Sequence, residues 1–194
     1  MPRPSMAAQR IEEILDALET CILTYGIQAT SLENIAETAG VKRTILRHYI
    51  GNRDDIICAL SNRWRKKYSQ QWQQLVEWLP SKNRAECLID ALFTVGSNER
   101  INATIIGEAI FSEAKRLEAI KLDQQETMEE FHQYISQALR SDYPEACDEK
   151  ITLVSNGIYA NYLLSESLLP LKMVEQVHLL KQSAKLLCTT LTSQ

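Results

Sequence analysis

The side chains best suited to chemistry in this sequence are basic ones within one short stretch. Between Glu37 and Asp54 the chain has no acidic residue, and it has four basic residues there: Lys42, Arg43, Arg47 and Arg53. The chain as a whole is acidic, with 21 Lys+Arg against 25 Asp+Glu. A local positive patch on an acidic protein is typical of a surface that binds phosphates, and a guanidinium group can also hydrogen-bond the edge of a base.

Two short helices joined by a turn would present these side chains. Thr30 or Ser31 can cap the first helix, because a side-chain oxygen accepts from an unpaired N–H of the first turn. Gly40 allows a sharp turn, since glycine takes positive φ at no steric cost. Basic side chains then lie on the outer face of a second helix, whose inner face is formed by Val41, Ile45, Leu46 and Tyr49. This arrangement is typical of a DNA-binding helix-turn-helix, although a helical hairpin with a solvated charged face has a similar pattern.

At these positions the sequence resembles the TetR family of bacterial transcriptional regulators. The resemblance rests on a Thr-Ser start, an Ile-Ala pair, an Ala-Gly-Val turn, a His-Tyr pair and a basic residue after a small turn. These are Thr30, Ser31, Ile35, Ala36, Ala39, Gly40, Val41, His48, Tyr49 and Arg53. Five positions depart from the family pattern, which often has Ser, Gly, Tyr, Phe and Pro where this chain has Lys42, Thr44, Arg47, Ile50 and Gly51.

The resemblance implies DNA-contact roles for this stretch. We expect four side chains to fix the register on the DNA backbone: Thr30, Ser31, Tyr49 and Arg53. Four others are expected to face bases, with the isoleucine against a thymine methyl group: Lys42, Arg43, Thr44 and Ile45. Arg47 and His48 are expected to reach phosphates, because backbone contacts position a protein while base contacts give specificity.

Helical periods continue through the rest of the chain. An amphipathic helix from Ala8 to Tyr25 completes a three-helix head, and a long helix from Asp54 to about Leu79 follows. Further helical segments are separated by breaks near residues 96–97, 115, 141–144 and 170, and no strand-like alternation stands out. The sequence therefore predicts an all-α protein of about nine helices. Its N-terminal helix-turn-helix DNA-binding domain, residues 8–53, is joined to a larger effector-binding and dimerisation domain, residues 54–194.

The last two predicted helices carry apolar residues three and four apart, like a coiled-coil seam. These are Ile151, Val154, Ile158, Met173, Val177, Leu180, Ala184, Leu187 and Leu191. Such a helix pair can bury this face within its own chain. The family resemblance implies instead that the pair meets a second copy in a four-helix dimer interface. We therefore expect a homodimer on a palindromic double-stranded DNA operator.

Members of the family typically bind a small-molecule effector among the middle helices, so the resemblance implies an effector site. Its candidate residues are Phe93, Ile105, Glu108, Phe111, Met128, Phe131, Tyr134, Tyr159 and Tyr162. If Glu108 is buried, its carboxylate needs a partner, which a cationic or polar ligand can supply. The alternative is that these aromatic residues are ordinary core and that Glu108 pairs with a Lys or Arg.

Two other functions fit parts of the sequence. Glu129-x-x-His132 and Glu175-x-x-His178 have the Glu-x-x-His spacing of di-iron helix bundles. The helical phase disfavours a metalloenzyme, because Glu175 lies roughly opposite the apolar face of its helix. We predict no enzymatic activity, no metal and no cofactor. A helical adaptor that no longer reads DNA is the other alternative, supported by the net charge of −4.

The sequence also indicates where the protein works. No apolar stretch approaches the ~20 residues that span a bilayer, and the N-terminal residues do not resemble a signal peptide. The five cysteines are scattered and never form a Cys-x-x-Cys pair, which is typical of a reducing compartment. We expect a cytoplasmic regulator with no membrane partner, more specifically a repressor released by a small molecule.

Overall fold

The computed structural model of the protein describes residues 6–192 as α-helices joined by turns, without a strand in that range. The helices are α1 (Met6–Tyr25), α2 (Leu32–Thr38), α3 (Arg43–Ile50), α4 (Arg53–Trp78), α5 (Arg84–Leu92), α6 (Asn98–Glu113), α7 (Glu118–Asp142), α8 (Asp148–Leu168) and α9 (Val174–Thr189). The predicted fold class is confirmed. None of the helices in the described range is long and apolar enough to cross a membrane.

Local hydrogen bonds set the start of α2 and the turn that follows it. The Ser31 hydroxyl accepts from the Asn34 N–H at 3.1 Å, and Asn34 Oδ1 accepts from the Ser31 N–H at 2.9 Å. Of the two residues predicted as a cap, Ser31 has this role. Gly40 ends the turn after α2 with a φ of +64°, a conformation that glycine adopts without steric cost.

The turn between α3 and α4 is set by the conformation of Gly51 and by the hydrogen bonds of Asn52. Gly51 has a φ of +95°, which proline cannot adopt, so the glycine found in place of the family's proline has a conformational reason. The next residue caps α4, since Asn52 Oδ1 accepts from the Asp54 N–H at 2.8 Å. The Asp55 carboxylate accepts in return from the Asn52 N–H at 2.8 Å. These bonds satisfy donors that the helix itself leaves unpaired.

The chain divides into two compact units. The first comprises the chain up to Lys66 together with Ile105–Gln124, and the second comprises Lys67–Thr104 together with the chain from Gln125 onward. In the first unit α1 contacts both α2 and α3. Its core includes side chains with no solvent exposure from α1 to α4: Ile14, Leu18, Ile35, Leu46, Ile56, Ile57 and Leu60.

A buried carboxylate lies in this first unit. Glu113, at the end of α6, is 2% exposed and accepts from Gln28 Nε2 at 2.6 Å and from Arg116 Nη2 at 2.5 Å. The same guanidinium donates to both carboxylate oxygens of Asp54, at 2.6 and 2.8 Å. Hydrogen bonding to Arg116 lowers the pKa of the Asp54 carboxyl. These bonds connect the turn after α6 to the turn after α1 and to the start of α4.

The second unit has its core among α5, α7, α8 and α9. Five residues of the predicted coiled-coil seam lie in this core and are at most 7% exposed: Ile151, Val154, Ile158, Ala184 and Leu191. Val177 is also buried, at 1% exposure. Leu180 and Leu187 are half-buried against the same core, and Met173 is 37% exposed. The seam is therefore closed within the chain, because α8 packs against α9 and α9 against α5. A partner would have to meet other side chains of these helices.

Removing Arg116 should destabilise the protein more than removing an ordinary surface cation. Arg116→Ala leaves the buried Glu113 carboxylate without its guanidinium, and we expect a loss of about 2 kcal/mol in the free energy of unfolding. The matched control is Lys121→Ala, which breaks an exposed i, i+3 pair with Glu118 and should cost roughly 0.5 kcal/mol or less. Urea unfolding measures both. Equal losses would show that Glu113 does not depend on Arg116.

Candidate nucleic-acid interface

Helix α3 presents most of its side chains to solvent. Leu46 is its only buried residue. Ile45 is 43% exposed, so it lies on the outer face rather than on the inner one that the spacing also allowed. Six consecutive or near-consecutive side chains at the start and outer face of α3 are exposed: Lys42, Arg43, Thr44, Ile45, Arg47 and His48. All six belong to the predicted DNA-contacting set.

The electrostatics of this face favour an anion. The first turn of α3 has no acidic residue, and its last turn contains Arg47 and His48. The N-cap residue, Lys42, makes no side-chain hydrogen bond to the helix. The first N–H groups of α3 therefore lack a side-chain cap, and such groups together with the helix dipole attract phosphate oxygens. The geometry is that of a short basic helix able to meet DNA.

Arg43 has a partner that the sequence interpretation missed. Its Nη1 donates to Oε1 of Glu33 on α2, and the two side chains remain 49% and 60% exposed. The sequence indicates that Glu33 faces outward, because Leu32, Ile35 and Ala36 define the inner face of α2, but it does not identify Arg43 as the partner. The carboxylate joins the two helices of the helix-turn-helix on their exposed side.

Thr30 and Arg53 have structural contacts where we predicted contacts to the DNA backbone. Arg53 Nε donates to the Thr30 carbonyl at 2.7 Å, and its Nη2 donates to the Ile27 carbonyl. Thr30 is 2% exposed, and its hydroxyl donates to the Gly26 carbonyl at 2.8 Å. These groups fix the turn between α1 and α2. Their inward direction is the physical reason for the correction.

The remaining two predicted backbone contacts also have local roles. The Ser31 hydroxyl caps α2, as described above, and Tyr49 is half-buried. The Tyr49 ring lies edge-on to the His48 ring, with 5.6 Å between the centroids. The predicted DNA-contacting set thus separates into an exposed group on α3 and a group that supports the surrounding turns.

The predicted effector residues also separate into groups. Four of them pack together in the second unit with an aromatic residue that was not predicted, Trp72 of α4. The Phe131 centroid lies 4.3 Å from Trp72, 4.8 Å from Tyr159 and 5.1 Å from Tyr162. Phe93 lies 6.3 Å from Tyr162. Burial raises the pKa of Tyr159 to about 12, as expected for a phenol in largely apolar surroundings. We call these five residues the aromatic cluster.

The three effector candidates on α6 belong to the first unit and not to the aromatic cluster. They are Ile105, Glu108 and Phe111, of which Glu108 is exposed and Phe111 is 48% exposed. The buried face of α6 includes Ile106, Ile110 and Glu113 instead. Glu113 is the buried carboxylate that binds Gln28 and Arg116. On α7, Met128 is half-buried, and the Tyr134 hydroxyl donates to Glu130 at 3.1 Å.

A carboxylate does lie beside the aromatic cluster, but it is Glu166. Glu166 accepts from Arg100 Nη2 at 2.5 Å and from the Thr104 hydroxyl at 2.9 Å. Burial, followed by the charge of Glu166, raises the pKa of Tyr162. The sequence contained a signal for this residue, since Glu166 is the only charged residue between Lys150 and Lys172.

A polar pocket of about 270 Å³ opens between α7 and α8. It is lined by His132, Gln133, Ser136, Arg140, Thr152, Ser155 and Asn156, none of which was predicted to bind an effector. His132 Nδ1 lies 3.4 Å from the Ser155 hydroxyl, and burial lowers the pKa of this histidine.

The structure places the two Glu-x-x-His pairs in no cluster of possible metal ligands among the described residues. Within residues 6–192 no group of three His, Cys, Asp or Glu side chains is placed to hold a metal ion. Glu175 and His178 are exposed, and so is Glu129.

Comparison with known proteins agrees with this geometry. The family model described as bacterial regulatory proteins, tetR family, matches residues 14–60. A TetR transcription regulator from Haloarcula marismortui superposes with a TM-score of 0.77 at 16% identity, covering 94% of this chain and 97% of that one. A TetR-like transcriptional regulator from Rhodococcus sp. RHA1 gives 0.67 at 17% identity, with full coverage of both chains. The structure of the SmeT–triclosan complex gives 0.65 at 18% identity, covering 94% and 90%. No curated protein matches the sequence.

The chain is thus an all-α protein with an N-terminal helix-turn-helix that carries an exposed basic helix. Its N-terminal helices match the model of bacterial regulatory proteins, tetR family, and the chain as a whole shares the fold of solved TetR regulators.

Arg47 and Arg53 should respond differently to mutation. Arg47 is exposed on α3, so Arg47→Ala should reduce the slope of log affinity for DNA against log salt by about one, without changing stability. Arg53→Ala should leave this slope unchanged and lower the free energy of unfolding by about 1–2 kcal/mol, because two backbone carbonyls lose their donor. DNA titrations at several salt concentrations and urea unfolding measure the two effects. A reduced slope for Arg53→Ala would show that Arg53 contacts a phosphate.

Proposed function

We propose that this protein is a cytoplasmic, homodimeric repressor that reads an inverted repeat in double-stranded DNA and is released by a small molecule. The observation that carries the proposal is the exposed basic face of α3 on an otherwise acidic chain. In this proposal residues 8–53 read DNA, and residues 54–194 form the dimer and bind the effector.

The exposed group on α3 would make the DNA contacts. Lys42, Arg43, Thr44 and Ile45 lie at the N-terminal end of the helix, which is the end that meets base edges in a helix-turn-helix. Arg47 and His48 follow in the last turn, where cations can meet phosphates. Each of these side chains is exposed, so DNA binding would require no unfolding of the turns around α3.

Dimerisation is supported by the outer face of α8 and α9, not by the seam predicted from the sequence. Five leucines on these helices are 43–69% exposed: Leu153, Leu163, Leu164, Leu179 and Leu186. The outer face of α8 includes the small residue Ala160, and the one charged residue between Lys150 and Lys172, Glu166, is held by Arg100. On α8 this surface is apolar and poor in charge, which is typical of a protein interface, whereas the outer face of α9 also includes the exposed Glu175. Two such helix pairs can form a four-helix bundle.

A dimer also follows from what DNA reading requires. One eight-residue helix contacts few bases, and each correct base contact contributes only ~1–3 kcal/mol of discrimination. Two heads related by a twofold axis double the number of contacts and read two half-sites. The proposed operator is therefore palindromic.

The aromatic cluster is the proposed effector site. It brings five aromatic rings together in the second unit, and Glu166 with Arg100 adds a charged pair beside Tyr162. Aromatic side chains with a few polar groups are the usual lining of a site for an apolar or aromatic ligand. The SmeT–triclosan complex is a structure of the same fold with a small aromatic molecule, which supports an effector of that general kind.

A charge placed on the outer face of α9 should prevent dimerisation. Leu179 is 62% exposed, so Leu179→Glu should leave the fold intact while it buries a carboxylate at the proposed interface, which is unfavourable. The control is Leu122→Glu on α7, where the leucine is 52% exposed in the first unit. Sedimentation should give a dimer for wild type and for the control, and a monomer for Leu179→Glu. A dimer in all three proteins would exclude this face.

The proposed function is tested by selecting bound duplexes from a random library at about physiological salt, because affinity for DNA depends steeply on salt. We expect enrichment of an inverted repeat whose half-sites are about one helical turn apart or a multiple of it. Weak binding without enrichment, lost as salt rises, would contradict the proposal and favour the helical adaptor.

A further inference from the structure

The contact between Glu33 and Arg43 contributes little to the stability of the fold. Both side chains are about half exposed, and exposed ion pairs contribute little to stability. The pair nevertheless lies where the proposed DNA contacts begin, because Arg43 is the first residue of α3 and Glu33 is the second residue of α2. An acidic side chain on a surface that meets phosphates weakens binding to every sequence. The Glu33–Arg43 pair is therefore explained neither by stability nor by affinity for DNA.

The contact restricts the guanidinium of Arg43. A free arginine side chain samples many rotamers, whereas the bond from Nη1 to Glu33 Oε1 restricts the direction in which the guanidinium points. Arginine has five N–H donors, so Nε and Nη2 can still donate to another acceptor. Two donors along one edge of a guanidinium match O6 and N7 of guanine, the commonest specific arginine contact in the major groove.

We propose that Glu33 is a specificity-determining positioning residue: it holds Arg43 so that the Nε–Nη2 edge of the guanidinium is presented to a guanine in each half-site. This inference rests on the proposed function and goes further, since it names the base and a residue outside α3. Glu33 also disfavours the use of Arg43 as a general phosphate ligand, because its carboxylate repels the DNA backbone. Discrimination of this kind trades affinity on all sequences for preference at one base pair.

The chain offers a matched control on the same helix. Glu37 is an exposed carboxylate one turn further along α2, and Glu33 and Glu37 are the acidic residues between Leu32 and Ile50. Glu33→Gln and Glu37→Gln remove the same charge from the same helix. A purely electrostatic effect would therefore be similar in both variants, whereas a positioning effect would appear in the first alone.

The experiment measures the affinity of the full chain for the selected inverted repeat, for duplexes in which each G·C pair of the half-site is replaced in turn, and for random DNA. Arg43→Ala should abolish the preference at one G·C pair. Glu33→Gln should reduce the preference at that same pair about tenfold, while random DNA is bound as well as or better than by wild type. Glu37→Gln should change the affinity for all duplexes together. In the double variant Glu33→Gln/Arg43→Ala, the preference should equal that of Arg43→Ala alone.

Two results would overturn the inference, and they can be told apart. If Glu33→Gln behaves like Glu37→Gln, Glu33 does not position Arg43, and the proposed function stands. If wild type itself prefers no sequence, the proposed function and this inference fail together. Thermal unfolding of the two glutamine variants checks that the fold is retained, since Glu33 lies in the first turn of α2, where an acidic residue interacts favourably with the helix dipole.

Discussion

Helix α3 has eight residues and buries one side chain, so its position depends on its neighbours. A helix of this length is unstable alone in water. Leu46 belongs to a core built mainly from α1, α2 and the start of α4, and the turns on either side of α3 are fixed by Gly40 and Gly51. Since packing uses only Leu46, the other side chains of α3 can be basic or polar. The proposed DNA-contacting surface therefore depends on the rest of the first unit for its position.

The sequence was sufficient to predict this helix-turn-helix because its signals are local. A cap at Ser31, a glycine turn and the charge distribution each depend on a few adjacent residues. Arg53 could not be assigned in the same way. Its partners are the backbone carbonyls of Thr30 and Ile27, more than twenty residues earlier, and the pattern of residue types contains no information about which carbonyls approach a guanidinium. Glu33 was missed for a related reason, since its contact with Arg43 exists only once α2 and α3 have packed.

The helices after α3 show what periodicity can and cannot predict. Helix number and approximate bounds followed from apolar spacing and from breaks such as Pro144 and Pro170. The spacing also identified the buried stripe on α8 and α9. It did not show that this stripe packs against helices of the same chain instead of a second copy. On α6 we named Ile105, Glu108 and Phe111 as effector candidates, whereas the buried side chains include Ile106, Ile110 and the carboxylate of Glu113. A carboxylate that continues an apolar stripe is easily overlooked, because its burial depends on distant partners such as Gln28.

The central claim is that two copies of α3 read one face of a single DNA duplex. It is tested most directly by measuring affinity for the selected inverted repeat after inserting base pairs between its half-sites. An insertion of about five base pairs places the half-sites on opposite faces of the helix, because B-DNA repeats every 10–10.5 base pairs. We predict that this insertion reduces affinity to that of a single half-site and that wild-type protein binds the original duplex as two chains. Unchanged affinity after the insertion would contradict the claim.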